Sequence, residues 1–496
     1  MSLPLHNCVL DELGRKKTVS GDIRHFALLK ENGNRDLFLG LGPNPEKTLA
    51  LAANSTACYL ECPDFISQMD KEWIRNIPPG FGKIAPRRLS SHLDCRIWLY
   101  RPGLRLFPSF WADILASLKF PPKAAAQSGK NNLVILSSAK DGLLTLETEH
   151  ALKQEGMRVL HLPRKKTAQD LADILKSKRP RHFLSINFHG LDSYGENIAL
   201  LKKSGTRASV WCVDNPAHLL SALKTRMWTG LNLFVTDHWF VKPLRELGAR
   251  NVFHLPLAVC PEIFNPAAQK PDMSFEFLFV GRSAFPDQKK FFSGQKIDPR
   301  LEHEAQDLLA CGIRPDFSWW QKKMHLPLWP GNRIRTAGFG AEKFSKIWRR
   351  EILQAVSEKY NLTIVGDQDW SHLVPRADLR PPVDYYSKLP QIYARSRYSL
   401  NITGMLLPRG LTQRHFDVWM AGGFLLTDYT RGLDIFPRKL VREHSFSSAE
   451  NLLRTVRRLE NDPALKADLM RGYQQEIITF HTYRHRVRSI LENARD

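Results

Sequence analysis

The chain has 496 residues, of which 43% are hydrophobic and 25% are charged, an ordinary composition for a globular protein. This length is enough for two or three domains with separate cores. No segment approaches the roughly twenty consecutive apolar residues of a membrane span. The opening residues contain no apolar core of signal-peptide length, so we expect a cytoplasmic protein.

The chain carries 72 Lys and Arg against 50 Asp and Glu, a net charge of +22. This excess favours anionic partners such as nucleotide diphosphates, an anionic membrane surface, acidic glycans or nucleic acid. A generally basic, solvated surface explains the charge equally well, because the basic residues are scattered with only short clusters such as Arg164-Lys165-Lys166. Seven scattered cysteines suit reduced thiols, and Cys58 with Cys62 lack the second pair that a zinc site needs.

Residues 1–125 are predicted to form an accessory α/β module. Asp36 to Gly42 is typical of a strand with a glycine turn, and it is followed by a helical pattern and a second strand that ends at Glu61. This is the outline of a nucleotide-binding half-unit, but the motif lacks its third glycine. Cofactor binding is therefore the alternative interpretation, and we assign no cofactor. The polar tract Pro121 to Asn132 is the predicted boundary.

From Leu133 onward, short apolar runs alternate with amphipathic helices. This pattern predicts parallel sheets covered on both faces, and a second such sheet begins at Phe275. The predicted units are a first doubly wound domain over residues 130–265, a second over 273–480, and a final helical segment over 481–496.

Polar side chains follow several strands of the first predicted sheet. They are His189, Asp192, Asp214 and Asp237. Ligands of such sheets collect beyond the carboxyl ends of the strands. Each residue also has a structural interpretation as a turn or helix cap, but their shared position makes them candidate site residues.

The stretch Tyr398 to Asp428 predicts one α/β unit. A buried strand leads through a glycine- and proline-rich loop into a helix starting near Thr412, and Gly422 and Gly423 end that helix before another strand. We expect Thr412 to cap the helix. The open N–H groups of a helix N-terminus favour a phosphate, Arg414 adds a fork of donors, and Asp417 can accept from a sugar hydroxyl. This combination predicts a nucleotide-sugar site.

These residues also resemble a known family. The Asn-containing strand, Gln413-Arg414, Asp417, the paired glycines and Asp428 resemble the C-terminal half of GT-B glycosyltransferases, and are most similar to the CgeB-like (spore-maturation-protein-like) group. The resemblance spans about residues 130 to 495, including the terminal HTYRHRVRSIL. It implies two Rossmann-like domains facing a cleft, with the C-terminal helix crossing back to the first. It also implies sugar transfer from a nucleotide-diphosphate sugar to a hydroxyl of a glycan or protein acceptor.

The resemblance further implies roles for individual residues. A base for an inverting reaction would be His189, with Asp192, Asp214 and Asp237 as further candidates, whereas a retaining reaction needs none. Asp367-Gln368-Asp369 imitates a metal-binding D-x-D motif, but GT-B enzymes manage the leaving group with basic side chains, so no metal is expected. The donor-binding candidates are Gly281, Arg282, Asn401, Thr403, Thr412, Arg414, Asp417 and Gly423.

Two other functions compete with sugar transfer. One is a non-catalytic relative that binds a nucleotide or a glycan. The other is a nucleic-acid-binding protein, which the charge alone suggests. The sequence contains no P-loop, zinc-finger, RNP or helix-turn-helix signature, so we do not expect nucleic acid as a partner.

Overall fold

A computed structural model describes residues 7–120, 131–138, 142, 144–163, 167–265 and 273–494. Most of the predicted linker after Phe120, the Arg164-Lys165-Lys166 cluster and most of the connection before Met273 lie outside these residues. Among the helices that the structure describes, none combines the length and apolar character needed to cross a membrane.

The N-terminal residues build a small hairpin and a five-stranded sheet of order β3-β7-β4-β5-β6. Strands β4 to β7 are parallel, and β3 is an antiparallel edge. The strands are β1 (Asn7–Leu10), β2 (Lys16–Val19), β3 (Phe26–Lys30), β4 (Asp36–Leu39), β5 (Ala57–Leu60), β6 (Phe81–Lys83) and β7 (Arg96–Tyr100). The α-helices are α1 (Pro63–Ile66), α2 (Lys71–Arg75), α3 (Arg101–Leu106) and α4 (Pro108–Lys119).

A second sheet has six strands in the order β13-β12-β11-β10-β8-β9. Strand β8 pairs in parallel with β9 and β10, and β12 pairs in parallel with β13. The strands are β8 (Leu133–Ser137), β9 (Arg158–His161), β10 (His182–Ile186), β11 (Arg207–Cys212), β12 (Asn232–Val235) and β13 (Asn251–His254). The α-helices are α5 (Thr145–Gln154), α6 (Ala168–Lys178), α7 (Glu196–Lys203), α8 (Pro216–Leu220) and α9 (Val241–Glu246).

The third sheet has the order β16-β15-β14-β17-β18-β19, and all five of its neighbouring pairs are parallel. Its strands are β14 (Phe275–Val280), β15 (Leu362–Val365), β16 (Asp378–Arg380), β17 (Ser396–Asn401), β18 (Leu425–Asp428) and β19 (Ser445–Phe446). The chain adds strands on one side of β14 and then returns to add β17 on the other. The gap between β14 and β17 is therefore the topological switch point, where parallel sheets bind ligands.

Within the described residues 273–494, eleven α-helices accompany the third sheet. They are α10 (Gln288–Phe291), α11 (Pro299–Ala310), α12 (Phe317–Lys323), α13 (Arg335–Ser357), α14 (Trp370–Leu373), α15 (Leu389–Ala394), α16 (Arg414–Met420), α17 (Arg438–His444), α18 (Ala449–Asn461), α19 (Pro463–Phe480) and α20 (Tyr483–Asn493).

These parallel sheets confirm the predicted α/β fold class. The amphipathic period of the sequence predicts helices over 168–178, 196–203 and 483–493, and α6, α7 and α20 span these residues. The sequence also predicts a helix from about Glu342 to Lys359 and another over 383–395 that is interrupted near Pro390, and both differ in the structure. Helix α13 begins at Arg335, seven residues earlier, and residues 383–395 contain only α15. Asp384 accepts hydrogen bonds from the backbone of Tyr386 and Ser387, which builds a turn before α15 instead of a longer helix.

The chain divides into two compact units. Unit 1 comprises Met1–Lys140, Met157–Val210 and Ala222–Leu231, and unit 2 comprises Asp141–Gly156, Trp211–Ser221 and Asn232–Asp496. Within unit 2, helix α20 packs against α5. The Arg486 guanidinium of α20 donates to the carbonyl oxygens of Pro256 and Leu257 at 2.8 and 3.0 Å, respectively, which fixes the C-terminal helix to the residues that follow β13.

The predicted nucleotide-binding half-unit of unit 1 differs from its sequence outline. Only a six-residue 3-10 helix, Pro45–Ala50, follows the glycine turn, so the turn does not open onto the predicted α-helix. Gly40 and Gly42 adopt φ angles of +84° and +68°, which require glycine. The Glu61 carboxylate accepts from the backbone N–H groups of Leu41 and Cys62 at 2.8 and 2.9 Å. Glu61 therefore stabilises the turn.

We expect a pH dependence of stability from Glu61. Burial, opposed by the hydrogen bonds from Leu41 and Cys62, raises its pKa from 4.5 to about 7. Because the folded state then binds the proton more tightly than the unfolded chain, stability falls as the pH rises from about 4.5 to about 7. Between these pH values the free energy of unfolding of the wild-type protein should fall by about 1–3 kcal/mol more than that of Glu61→Gln, as measured by urea denaturation. The exposed Glu46→Gln control should follow wild type, and equal losses in all three proteins would contradict the assignment.

Candidate functional site

Arg414, the first residue of α16, lies at the switch point of the third sheet. Its Nε donates to the carbonyl oxygen of Val280, at the end of β14, at 2.8 Å. Its Nη1 donates to Oδ1 of Asn401, at the end of β17, at 2.9 Å. One guanidinium therefore joins the carboxyl ends of both central strands to the start of the helix.

Asn401 is the centre of a buried hydrogen-bond network. Its Oδ1 accepts from the Thr412 hydroxyl and from Arg414, while its Nδ2 donates to the hydroxyls of Thr403 and Thr427, each at 3.0 Å. The Asn401 side chain is fully buried and its polar atoms are paired. Asn401 and Thr403, both candidate donor-binding residues, therefore shape the site from beneath.

The predicted capping role of Thr412 was wrong. Helix α16 has Gln413 at its N-cap position and no side-chain cap, because the Thr412 hydroxyl bonds to Asn401 in β17. The backbone N–H of Thr412 donates to Nδ1 of His415 at 3.0 Å. At the other end of the helix, Gly422 has a φ angle of +86°, which confirms the predicted left-handed glycine stop.

A second arginine, Arg349 of α13, lies beside the loop that follows β17. A Cβ atom added at Gly404 would come within 3.1 Å of its Nη2. Burial lowers the pKa of Arg349, and the charge of Arg414 lowers it further against the opposing effect of Glu342. Within the part of the chain that the structure describes, Arg349 makes no side-chain hydrogen bond or ion pair. The guanidinium groups of Arg349 and Arg414 are therefore close enough for one charge to affect the pKa of the other.

The candidate glycines permit close packing at this site. A Cβ atom at Gly281 would lie 2.9 Å from Nη2 of Arg414, and one at Gly423 would lie 2.6 Å from the carbonyl oxygen of Tyr393. Arg282 is exposed on the loop after β14. Asp367 of the D-x-D-like motif accepts from the backbone N–H of Ser283 at 2.7 Å, so its carboxylate holds this same loop.

The loop between β17 and α16 is fixed by two residues that follow strands of the second sheet and belong to the same unit. Asn215 donates to the carbonyl oxygen of Leu406 at 2.8 Å, and Asp237 accepts from the backbone N–H of Arg409 at 2.8 Å. Asp237 also accepts from the N–H of Trp239 at 2.8 Å. Burial, opposed by these two backbone hydrogen bonds, raises the pKa of Asp237 to about 6.

The other candidate bases differ in how their side chains are used. The Asp192 carboxylate accepts four backbone N–H groups, from Tyr194 to Asn197, and so anchors the start of α7. Asp214 is exposed just after β11. His189 is exposed after two left-handed residues, Asn187 at φ +55° and Phe188 at φ +62°. Such strained backbone is concentrated at functional sites, and sequence patterns did not reveal it.

Asp417 of α16 is completely buried. Its Oδ2 accepts from the Tyr385 hydroxyl at 2.6 Å, and its Oδ1 has no partner among the described residues. Burial raises the pKa of Asp417 well above its usual value, with an opposing effect from Tyr385 and a reinforcing one from Glu147. Glu147 of α5 is arranged similarly, because its Oε2 accepts from the Tyr386 hydroxyl at 2.9 Å while Oε1 is unpaired in the described structure.

The chain was compared with families of known sequence. Residues 348–492 match a family model described as glycosyl transferase-like. The matched residues include Arg349, Asn401, Arg414 and Asp417. No curated protein sequence matches the chain.

Several solved structures are similar to this chain. T4 phage β-glucosyltransferase with its UDP-glucose substrate has 9% identity and a TM-score of 0.41, over 73% of this chain and 99% of that chain. Anabaena HepE in complex with UDP has 8% identity and a TM-score of 0.45, over 73% and 98% of the two chains. The O-GlcNAc transferase of Thermobaculum terrenum has 11% identity and a TM-score of 0.40, over 78% and 73%.

Sequence reasoning missed three of the residues around this site: Arg349, Glu147 and Tyr385. Arg349 lies in a long amphipathic helix where a charged residue is usually solvated. The one local sign of a buried arginine is that the Arg349-Arg350 pair lies between two apolar residues, Trp348 and Ile352, both of which are buried. The Tyr385-Tyr386 pair was visible in the sequence, but its carboxylate partners lie 32 and 239 residues away.

We expect Asn401→Ala to destabilise the fold strongly. The substitution leaves the buried hydroxyls of Thr403 and Thr427 and the Arg414 guanidinium short of partners, and each lost bond of this kind costs about 1–3 kcal/mol. The urea midpoint should fall by the equivalent of about 2–4 kcal/mol. Asn251→Ala, at an exposed position in β13, is the matched control and should change stability by less than about 0.5 kcal/mol. Similar effects of the two substitutions would show that the Asn401 network contributes little.

Proposed function

We propose that this protein transfers a sugar from a nucleoside-diphosphate sugar to an acceptor hydroxyl. The observation that carries the proposal is the pair of arginines at the switch point, Arg349 and Arg414, beside the close-approach positions Gly281 and Gly404. Guanidinium groups pair with phosphate oxygens through parallel hydrogen bonds. The glycosyl transferase-like match over residues 348–492 supports the same reaction class.

The arginines would act on the leaving group. When the bond between the sugar and the diphosphate breaks, negative charge develops on the phosphate oxygens. Donors that are fixed beforehand stabilise this charge without reorganising. Arg414 is held by Val280 and Asn401, so one nitrogen is preset towards Gly281, while Arg349 supplies an uncommitted guanidinium. Asp417 would hold a hydroxyl of the nucleotide ribose or of the donor sugar through its unpaired Oδ1.

An inverting reaction also needs a base for the acceptor hydroxyl. His189 is the proposed base, because its exposed imidazole is presented by strained backbone. Asp214, which is exposed, is the second candidate. Asp192 and Asp237 are weaker candidates, since their carboxylates already accept four and two backbone N–H groups, respectively.

We also propose a narrower family and acceptor class. The arrangement of Gln413-Arg414, Asp417 and the paired glycines supports membership of the CgeB-like group of GT-B glycosyltransferases. The acceptor would be a hydroxyl of a glycan or of a protein side chain. The donor would be a nucleoside-diphosphate sugar.

Arg349→Ala and Arg414→Ala should each weaken the binding of nucleoside diphosphates by about 10- to 100-fold, because each removes a charge-assisted contact. Calorimetric titration with UDP, GDP, ADP and dTDP measures this effect. Arg349→Lys should recover part of the lost affinity, since it keeps the charge but not the planar fork.

Arg471→Ala is the matched control, because this arginine lies on the surface of α19 and, among the residues that the structure describes, pairs only with Asp468. Circular dichroism and melting temperature would check that each variant is folded. If folded variants of both site arginines bound every nucleotide with wild-type affinity, the diphosphate site would be wrongly assigned.

A further inference from the structure

A cavity of about 320 Å³ opens in unit 2 between α5, α20 and the residues after β13. Its lining includes Glu147 and Tyr483, both of which are almost completely buried. Ala151, Val259 and Ile478 contribute apolar walls, and most of the other lining residues are polar or charged. Apolar surface combined with convergent polar groups is typical of a small-molecule site. Nothing in the proposed sugar transfer uses this cavity.

The two buried polar residues of the cavity are incompletely paired. Oε1 of Glu147 and the hydroxyl of Tyr483 have no hydrogen-bond partner among the described residues. Leaving a buried polar group without a partner costs about 1–3 kcal/mol, so such groups are uncommon and call for an explanation. Glu147 and Tyr483 are therefore available to hydrogen-bond a ligand.

The rim of the cavity is polar but already paired. Arg484 and Arg488 both donate to Glu155, at 2.7 and 2.9 Å. Glu262 accepts from Gln154 at 2.8 Å and lies 3.1 Å from Nε2 of His150. Because these rim side chains already have hydrogen-bond partners, the unmet hydrogen-bonding capacity of the cavity lies with Glu147 and Tyr483.

The chemistry of the cavity selects a class of ligand. Carboxyl and phenol oxygens without partners favour a ligand that donates several hydrogen bonds. An anion would lie beside the acidic Glu147. A cation would depend on a negative charge at Glu147, which burial disfavours because it raises the pKa of that carboxyl. Apolar walls suit the C–H face of a ring. The volume lies at the lower end of the range for ligand pockets, which limits the occupant to a single small ring.

We propose that this cavity binds one neutral sugar ring, whose hydroxyls pair with Glu147 and Tyr483. Both unpaired oxygens are covered in this structure, so binding requires the Glu147 and Tyr483 side chains to turn towards the cavity. The sugar can be a free monosaccharide or the end of a glycan, since both present the same hydroxyls. The proposal stands independently of the donor site at Arg349 and Arg414.

Saturation-transfer NMR on the full chain tests this proposal. The probes are glucose, galactose, mannose and N-acetylglucosamine, with glucuronate as a charged comparison. At least one neutral sugar should show saturation transfer and glucuronate should not. Methyl glycosides and disaccharides separate the two sources, because a site for a glycan end retains these ligands and a site for a free sugar rejects them.

Tyr483→Phe is the decisive variant. It removes a hydroxyl that has no partner among the described residues, so the melting temperature should be maintained while the affinity for the neutral sugar falls about 10-fold, or about 1.4 kcal/mol. Tyr194→Phe, at an exposed position outside the cavity lining, is the matched control. Glu147→Leu should abolish sugar binding, and Glu149→Leu on the same helix should retain it.

Arg349→Ala should bind the sugar like wild type, which separates this site from the proposed donor site. The proposal is overturned if no neutral sugar binds folded wild-type protein. It is equally overturned if Tyr483→Phe and Glu147→Leu both bind the sugar with wild-type affinity. Loss of nucleotide binding in Arg349→Ala with unchanged sugar binding would support both sites.

Discussion

The Arg414 guanidinium makes the contact on which the proposed donor site depends. It spans the switch point of the third sheet by donating to Val280 of β14 and Asn401 of β17. The strand order creates the gap between these strands, and the arginine places a fixed positive charge across it. Because Asn401 also receives the Thr412 hydroxyl, the strand ends, the loop and the start of α16 form one hydrogen-bonded assembly.

This assembly is reinforced from residues far away in sequence. Asn215 and Asp237 hold the backbone of the loop at Leu406 and Arg409. Ser345 of α13 accepts from the backbone N–H of Met405 at 2.7 Å, one helical turn before Arg349. The loop therefore has ordered anchors on several sides, and preorganised donors need no rearrangement when charge develops on a leaving group.

The buried acidic residues of unit 2 follow a different principle. Glu147 and Asp417 each use one oxygen to accept from a tyrosine hydroxyl and keep the other unpaired. The two hydroxyls come from adjacent residues, Tyr385 and Tyr386, whose ring centroids lie 5.0 Å apart. A pair of acidic groups in such surroundings is stable when at least one proton is retained, which agrees with their raised pKa values. The unpaired oxygens are the feature that points to hydroxyl ligands.

The sequence alone determined the α/β fold class, most strands of the parallel sheets and the strand–helix–strand unit within Tyr398 to Asp428, because hydrophobic periodicity and glycine stops are local signals. It also placed Arg414 and Gly281 among the candidate residues. It did not reveal Arg349, the Asn401 network or the pairing of Glu147 with Tyr386. These contacts join segments tens to hundreds of residues apart, and only the strand order and helix packing bring them together. Thr412 illustrates the same limit, since its hydroxyl could cap a helix locally but bonds to a neighbouring strand that only the folded chain places within reach.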